Sequence, residues 1–463
     1  MARLHIGRTV RRLRTEGGLS QQALAARLGI SSSYLNLIEH DQRTVTGSLL
    51  IKLAELFHVD LTALSGARER RMEVTLREVF TDPLLGADAV PDSEIAALAD
   101  SSPQAARAVL ALYRAWRVAR EDASGIALPS GRRILLPTEE TRDFFDDRGN
   151  HFPVLEEIAE AILGPCLDAP GERGEKVAAR LRDRHGVSVA VEPLEGLLRR
   201  FDPDPPQLTL ADGLPRETRA FQMAFQLALL EAHEAVDQVL GEAAPSSPEA
   251  AMLIRISLFN YVAGAMLMPY APYHATVWSL RHDMERVACR FGVSFEQACH
   301  RLTTLQRSDA RGVPFFFLRV DPAGNVSKRF SAAGFPFARY GGSCRRWIVH
   351  TAFTQPGIVQ VQVAELPEGT RYLCFARTVS RPAASWGEPR PTHVVGMGCS
   401  ITDAPAVIYG DGLDLERATV GIGLACRLCD RAGCRSRAFP PLEHRLALNP
   451  LISSATPYHF IPR

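Results

Sequence analysis

Residues 20–43, SQQALAARLGISSSYLNLIEHDQR, read as two short helices joined by a tight turn. Ser20 is a good N-cap for a first helix through Leu28. Gly29 falls where the turn needs a residue tolerant of positive φ. Ser31 can cap a second helix running to about Glu39. Leu24, Ala25, Leu28, Ile30, Leu35 and Ile38 carry the spacing that packs two helices across such a turn. The second helix then turns Ser32, Ser33, Tyr34 and Asn36 outward, as a recognition helix does toward a major groove.

Helices are expected on both sides of this unit. Gly7–Glu16 precedes it with Arg8, Arg11, Arg12 and Arg14; Ser48–Phe57 and Asp60–Leu64 follow. The whole resembles the five-helix DNA-binding domain of phage-repressor-like regulators, the xenobiotic-response-element type. That resemblance implies an operator bound as a dimer, with Ser31, Ser32, Ser33, Tyr34 and Asn36 at the groove. Helix 1, Gln21 and Arg43 would meet phosphates, which position a domain without specifying sequence.

The chain has 463 residues, too many for one core, so about three domains are expected. Hydrophobic content of 46% and charged content of 23% describe a globular chain, and a net charge of +1 excludes a global basic field. Basic residues gather instead in the first 70 positions and near the C-terminus. No stretch of about 18 uncharged apolar residues is found, which argues against a membrane span. The start shows no leader pattern, so a cytoplasmic location is expected. Nine cysteines would there be reduced, and clusters among them suggest metal rather than disulfides.

The expected organisation is multidomain, mainly α with a C-terminal α+β region. It comprises a helix-turn-helix domain over 1–66, a helical linker region over 67–150, a middle domain over 151–310 and a β-rich tail over 311–463. Within the linker region, 66–90 and 122–150 read as loops and 93–121 as helical. RETRAFQMAFQLALLEAHEAV reads as one long helix, and WSLRHDMERVACRFG with SFEQACHRLTTLQR as a helical pair. VPFFFLRVDPAGNVSKRF reads as strand, turn, strand, followed by strands in IVQVQVAEL, RYLCFARTV and THVVGMGCSI.

The helix TRAFQMAFQLALLE resembles the one that carries His-Glu-x-x-His in small zinc peptidases associated with repressor-type regulators. The matching positions are Phe225, Gln226 and Leu229. None can bind zinc, and Gln226 cannot abstract a proton. Ser257 and Asn260, near the family's third ligand, are poor replacements. The resemblance therefore implies a retained fold without catalytic residues, and no enzyme. A zinc peptidase acting on a repressor is the weaker alternative.

Cys426, Cys429 and Cys434 fall within nine residues of GIGLACRLCDRAGCRSRAFPP. A Cys-x-x-Cys pair lets two thiolates face one metal, and the third can reach the same centre. Tetrahedral zinc or a cubane iron–sulfur cluster needs a fourth donor. Cys399 in GMGCS is the first choice, because flanking glycines would permit close approach. Cys344 and then His393 follow. Arg427, Arg431, Arg435 and Arg437 would stabilise thiolates. Spacing alone leaves zinc and iron–sulfur open.

GGSCRRW, VVGMGCSI, AVIYGDGLDL and IGLACRLCDRAGCRSRAFPPL together resemble the C-terminal domain of the short-chain fatty acyl-CoA regulators. That family joins a repressor-type helix-turn-helix to an inactive peptidase-like middle and a sensor tail. The resemblance implies a regulator of propionate or acetate metabolism, an acyl-CoA effector and, for some members, a [4Fe–4S] cluster. Coenzyme A brings phosphates that need basic donors, for which Arg339, Arg345, Arg346 and Arg377 are available. Tyr340, Trp347, Phe335, Phe337 and Phe375 could line the acyl end. A redox- or metal-sensing DNA-binding regulator without acyl-CoA is the other alternative.

Overall fold

The computed structural model describes the chain apart from residues 1–6, 41, 44, 58–66, 82–89, 124–136, 166–168, 170, 338–342, 381–386, 388–389, 442–443, 448, 457 and 461–463. Its contacts divide the chain into two units. One gathers Met1–Arg133, Pro336–Gly341 and Leu424–Arg463; the other gathers Ile134–Phe335 and Gly342–Gly423.

In the first unit α1 (Gly7–Glu16), α2 (Gln21–Leu28), α3 (Ser32–Glu39) and α4 (Gly47–Phe57) surround one small core. Val10, Leu24, Ala25, Leu28, Leu35, Ile38, Leu49 and Leu53 are all buried there. The helix expected at Asp60–Leu64 lies outside the described residues. Residues 67–80, expected as part of a loop, form α5 (Ala67–Phe80). Its charged N-terminal turns hid a C-terminal half in which Val74, Leu76 and Val79 are buried. Leu76 and Val79 share a core with Ile95 and Ala99 of α6 (Asp92–Ser101) and Ala106, Leu110 and Tyr113 of α7 (Pro103–Ala123).

The second unit begins with α8 (Pro137–Asp147), again where a loop was expected. Its acidic surface masks Phe144, which packs on Phe152 at 5.7 Å. Then come α9 (Pro153–Leu163), α10 (Glu172–His185) and three strands, β1 (Ser188–Glu192), β2 (Arg199–Pro203) and β3 (Pro206–Ala211), paired in the order β1-β3-β2. The expected long helix is two, α11 (Arg216–Glu231) and α12 (His233–Gly241), broken at Ala232 where φ is −116°. Next is α13 (Pro248–Leu267), long and apolar enough to span a membrane by length and composition. Here it is a core helix, with Ile254, Leu258, Phe259, Tyr261, Val262 and Met266 in the main apolar cluster.

The pair expected next is three helices, α14 (Tyr270–Ser279), α15 (Met284–Phe291) and α16 (Phe295–Leu302). Arg281 and His282, at φ +49° and +62°, break the chain between the first two. A six-stranded sheet follows from β4 (Phe315–Val320), β5 (Val326–Ser331), β6 (Gln360–Glu365), β7 (Arg371–Ser380), β8 (Thr392–Ser400) and β9 (Thr419–Gly421), in the order β5-β4-β8-β7-β6-β9. Neighbours are antiparallel except the parallel pair β6–β9. Alternation along β4 sends Phe315 and Phe317 into the main cluster with the helices. Phe316 faces the other way, against Phe335, Trp347 and Tyr372.

Candidate functional site

The helix-turn-helix is built as its residues require. Ser20 Oγ accepts from the Ala23 amide and Ser31 Oγ from the Tyr34 amide, both at 3.1 Å. Gly29, at φ +72°, closes α2 with its amide on carbonyls of the last turn. Beneath α3 lies a polar network. Arg14 donates to both carboxylate oxygens of Glu39, at 2.7 and 3.2 Å, and to the Leu19 carbonyl at 3.1 Å. Gln21 Nε2 donates to Glu39 Oε2 at 3.1 Å and to Asn36 Oδ1 at 3.2 Å. Arg14 is thus an internal strut rather than one of helix 1's phosphate donors. Gln21 orients Asn36, and the Ser31 hydroxyl serves as a cap. Ser33, Asn36 and Arg43 are exposed, and Ser32 and Tyr34 half-buried.

In the second unit, α11 shows what occupies the peptidase positions. Phe225 is buried against Phe259, with ring centroids 6.1 Å apart. Gln226 is buried and accepts from Arg199 Nη1 at 2.6 Å, and the same guanidinium lies 4.4 Å over the Phe225 ring. Ser257 and Asn260 direct their polar atoms to the carbonyls of Leu253 and Ile256, one turn back on their own helix. A cation therefore stands against the ring and amide at the positions matched to a zinc-binding histidine and the general base.

Beside these helices is a cavity of about 460 Å³. Its polar wall carries His300, Arg301, Arg319, Lys328 and His393, and its apolar wall Leu214, Phe221, Met268 and Val379. His300, Lys328 and Asn260 also line a second cavity of about 260 Å³. Arg301 is fixed from behind: Nη1 and Nη2 donate to Glu156 Oε1 and Oε2 at 2.6 and 2.7 Å, and Nε to the Met268 carbonyl at 2.9 Å. Tyr261 donates to the same Glu156 Oε1 at 2.5 Å. Burial pushes the Glu156 carboxyl upward, but Arg301 overcomes it and leaves the group below its ordinary value. His300 is held well below the ordinary value by burial and by the neighbouring Lys328, Arg301 and Arg319. Arg319 is paired with Glu296 at 2.8 Å.

The cysteine loop belongs to the first unit. Arg437, 3% exposed, lies inside it and donates to the carbonyls of Cys426 (2.9 Å), Cys429 (2.7 Å) and Arg431 (2.9 Å). The Ala438 amide donates to Cys426 Sγ at 3.5 Å. Among the described residues, no three His, Cys, Asp or Glu side chains converge so as to hold a metal.

Three family models match the chain: "Short-chain fatty acyl coenzyme A regulator, C-terminal" over 304–458, an IrrE N-terminal-like peptidase domain over 182–303 and a helix-turn-helix over 10–64. The HTH-type transcriptional regulator RamB of Mycobacterium tuberculosis is 38% identical, with 99% of each chain covered. The chain belongs to the short-chain fatty acyl-CoA regulator family. A propionyl-CoA carboxylase regulator of Cereibacter sphaeroides is also 38% identical, over 99% of each chain. The HTH-type regulator PrpR of M. tuberculosis matches at 38%, over 99% of this chain and 96% of its own. A solved structure titled as a transcriptional regulator of M. tuberculosis superposes with a TM-score of 0.67 at 40% identity, covering 70% of this chain and 99% of that one. The protein is thus a DNA-binding transcriptional regulator, and its peptidase-like domain sits inside a regulator family, in accord with the expectation of no enzyme.

Within this regulator, none of the described residues expected at an acyl-CoA site lines either cavity. Arg339 and Tyr340 lie outside the described residues. Trp347 is buried, stacked on Phe335 at 5.0 Å and 17°, and covers one face of the sheet. Phe375 is wholly buried. Arg377 pairs with Glu285 at 3.4 Å and donates to the Gly357 carbonyl at 2.9 Å. None of Arg345, Arg346, Trp347 and Arg377 lines either cavity. The cavity cations Arg301, Arg319 and Lys328 come from separate elements, so no local motif marks them.

Cys399 also differs from expectation. It is wholly buried in the main apolar cluster, in register with Phe315 and Leu373, and burial pushes its thiol well up. The glycines beside it admit side chains, not a cluster. A Cβ at Gly398 would collide with the Phe316 ring, and one at Gly396 would come within 2.6 Å of Val349 and 2.8 Å of Leu318.

Proposed function

We propose that this regulator acts in the cytoplasm as a dimer or higher oligomer on genes of short-chain fatty acid (propionate or acetate) metabolism, and that an acyl-CoA bound in the larger cavity sets its affinity for an operator. The observation that carries this is the 460 Å³ cavity, whose wall sets Lys328, two histidines and the paired guanidinium groups of Arg301 and Arg319, with Glu217 and Glu296, beside an apolar patch. Coenzyme A phosphates seek such cations, and a short acyl chain seeks such a patch. Ser32, Ser33, Tyr34 and Asn36 face the groove, with Gln21, Ser31 and Arg43 placing them. An acyl-CoA that favours one oligomer geometry shifts DNA affinity by that difference alone.

Band-shift titration with acetyl-, propionyl- and longer acyl-CoAs tests the reading. A change in DNA affinity with one acyl-CoA, lost in Lys328→Ala, is expected. No change with any of them sinks it.

The tail loop supports a second input. Arg437 is a buried cation with carbonyl acceptors and no carboxylate partner among the described residues. Negative charge on Cys426, Cys429 and Cys434 bound to a [4Fe–4S] cluster, or to zinc, would complement it. Such a centre supplies redox or structural chemistry; the chain's own part is to hold the loop.

A further inference from the structure

We propose that Lys328 is a modification site, whose ε-amine takes the acyl group from an acyl-CoA held in the larger cavity. The proposal rests on the acyl-CoA reading above and adds a covalent step to it. The Lys328 nitrogen attacks the thioester carbonyl carbon; a C–N bond forms and the C–S bond breaks. Coenzyme A leaves with the electron pair on sulfur and takes up the proton that the nitrogen sheds. The products are an N-acyl-lysine and free coenzyme A, and no oxidant or reductant is needed.

Lysine is scarce in this chain: Lys52, Lys176 and Lys328 are the only lysines among 53 lysines and arginines. Arginine supplies positive charge almost everywhere, but a guanidinium keeps its proton and is no nucleophile. The two lysines elsewhere are engaged. Lys176 pairs with Glu172 at 3.7 Å, and Lys52 Nζ donates to the Leu28 carbonyl at 3.4 Å. Lys328, on β5, makes no hydrogen bond or ion pair among the described residues. Glu296, the carboxylate that acts on it, is already paired with Arg319 at 2.8 Å.

Lys328 is accessible to solvent and lines both cavities with Asn260 and His300, so it stands where they meet. A ligand with its polar part in the larger cavity and its acyl chain toward Leu253, Phe317 and Phe330 of the smaller one carries its thioester past this nitrogen. Lys328 Nζ is 5.9 Å from the Phe317 ring centroid, and the His300 ring is 5.6 Å from the same centroid. The protein crowded around the amine, with Arg319 adding to it, pushes it down to about 8 against the pull of Glu296. More of it is therefore the neutral nucleophile near pH 7 than for an ordinary lysine. His300, kept neutral by burial and its cationic neighbours, is the acceptor for the departing proton. Acylation leaves an amide that cannot ionise, so the wall loses the charge of Lys328 while Arg301 and Arg319 keep their paired ones.

The test incubates the full chain with acetyl- and propionyl-CoA and follows each lysine by peptide mass spectrometry, with Lys52 and Lys176 as controls in the same molecule. A dethia acyl-CoA, in which carbon replaces the thioester sulfur, cannot transfer its acyl group and reports binding alone by calorimetry. We expect Lys328 to be acylated at least about 10-fold faster than either control, with a rate that rises with pH and levels off near 8. The rate should saturate in acyl-CoA and yield to the dethia analogue, and urea-unfolded chain should lose the preference. Lys328→Arg should bring total lysine acylation down to that of the two controls. Equal rates at the three lysines, or a Lys328 rate that neither saturates nor yields to the analogue, overturns the covalent step. If the analogue binds in that case, the acyl-CoA reading stands without it. If neither the analogue nor any acyl-CoA binds, the reading and the covalent step fall together.

Discussion

Glu39 is a carboxylate with 3% of its surface exposed, the last residue of a helix of eight. Its charge is tolerable because Arg14 meets both oxygens, and the same contact raises the Arg14 pKa. Removing the arginine takes away the cation and leaves the anion with the Gln21 amide as donor. We expect Arg14→Ala to cost about 2–3 kcal/mol in the N-terminal domain, less than for a fully buried pair because Arg14 keeps some solvent contact. Urea denaturation of that domain reads the loss, and a band shift should weaken with it; an unaltered midpoint would refute the strut role. Gly398 poses the opposite problem. Ala there puts a methyl into the Phe316 ring, so Gly398→Ala should cost about 1–3 kcal/mol and disturb near-ultraviolet dichroism. A variant as stable as wild type would show that the sheet face has room.

Between elements, the pair Glu156–Arg301 joins α9 to α16, with side-chain exposures of 1% and 2%. Arg301→Met leaves a buried carboxylate unpaired and should cost about 3–5 kcal/mol, whereas adding Glu156→Gln should recover much of it. Equal stability of the single and double variants would be the contrary result. Buried histidines of the second unit add a pH dependence. His151, His282 and His300 are all held below the ordinary histidine value, burial being the first cause in each. A group depressed in the fold contributes stability that is present above its unfolded value, about 6.5, and lost as pH falls toward its folded value. Glu156, also depressed, extends the loss to lower pH. Melting of the second unit should therefore fall from about pH 6.5 downward. His300→Asn should flatten part of that fall; an unchanged profile would remove His300 from the account.

For the whole molecule, regulation means that occupancy far from α3 changes how α3 meets DNA. Linkage makes this reciprocal: operator DNA should tighten acyl-CoA binding by the factor by which acyl-CoA tightens DNA binding, or weaken it likewise. Calorimetric titration of acyl-CoA with and without operator measures that factor. Two independent affinities would show that the cavity ligand, if bound, does not regulate.

The helix-turn-helix was legible in residues 20–43 because its caps, turn glycine and apolar spacing are local, each within a few positions of its partner. The strands from β4 to β8 were legible for the same reason, as were the vacant peptidase positions Phe225, Gln226 and Leu229. Where α5 and α8 form, charged surfaces outweigh short buried faces, and only packing against α6, α7 and Phe152 shows them as helices. The sequence by itself determined the DNA-reading unit, the absence of His-Glu-x-x-His on α11 and the cysteine spacing of the tail. Tertiary structure alone decided that Cys399 belongs to an apolar core and that Arg301, Arg319 and Lys328 share a cavity wall. It alone joined His444 to Asp430 across 14 positions. The physical reason is range: capping and turn formation act along the chain, whereas burial and charge pairing act through space between residues that sequence order keeps apart.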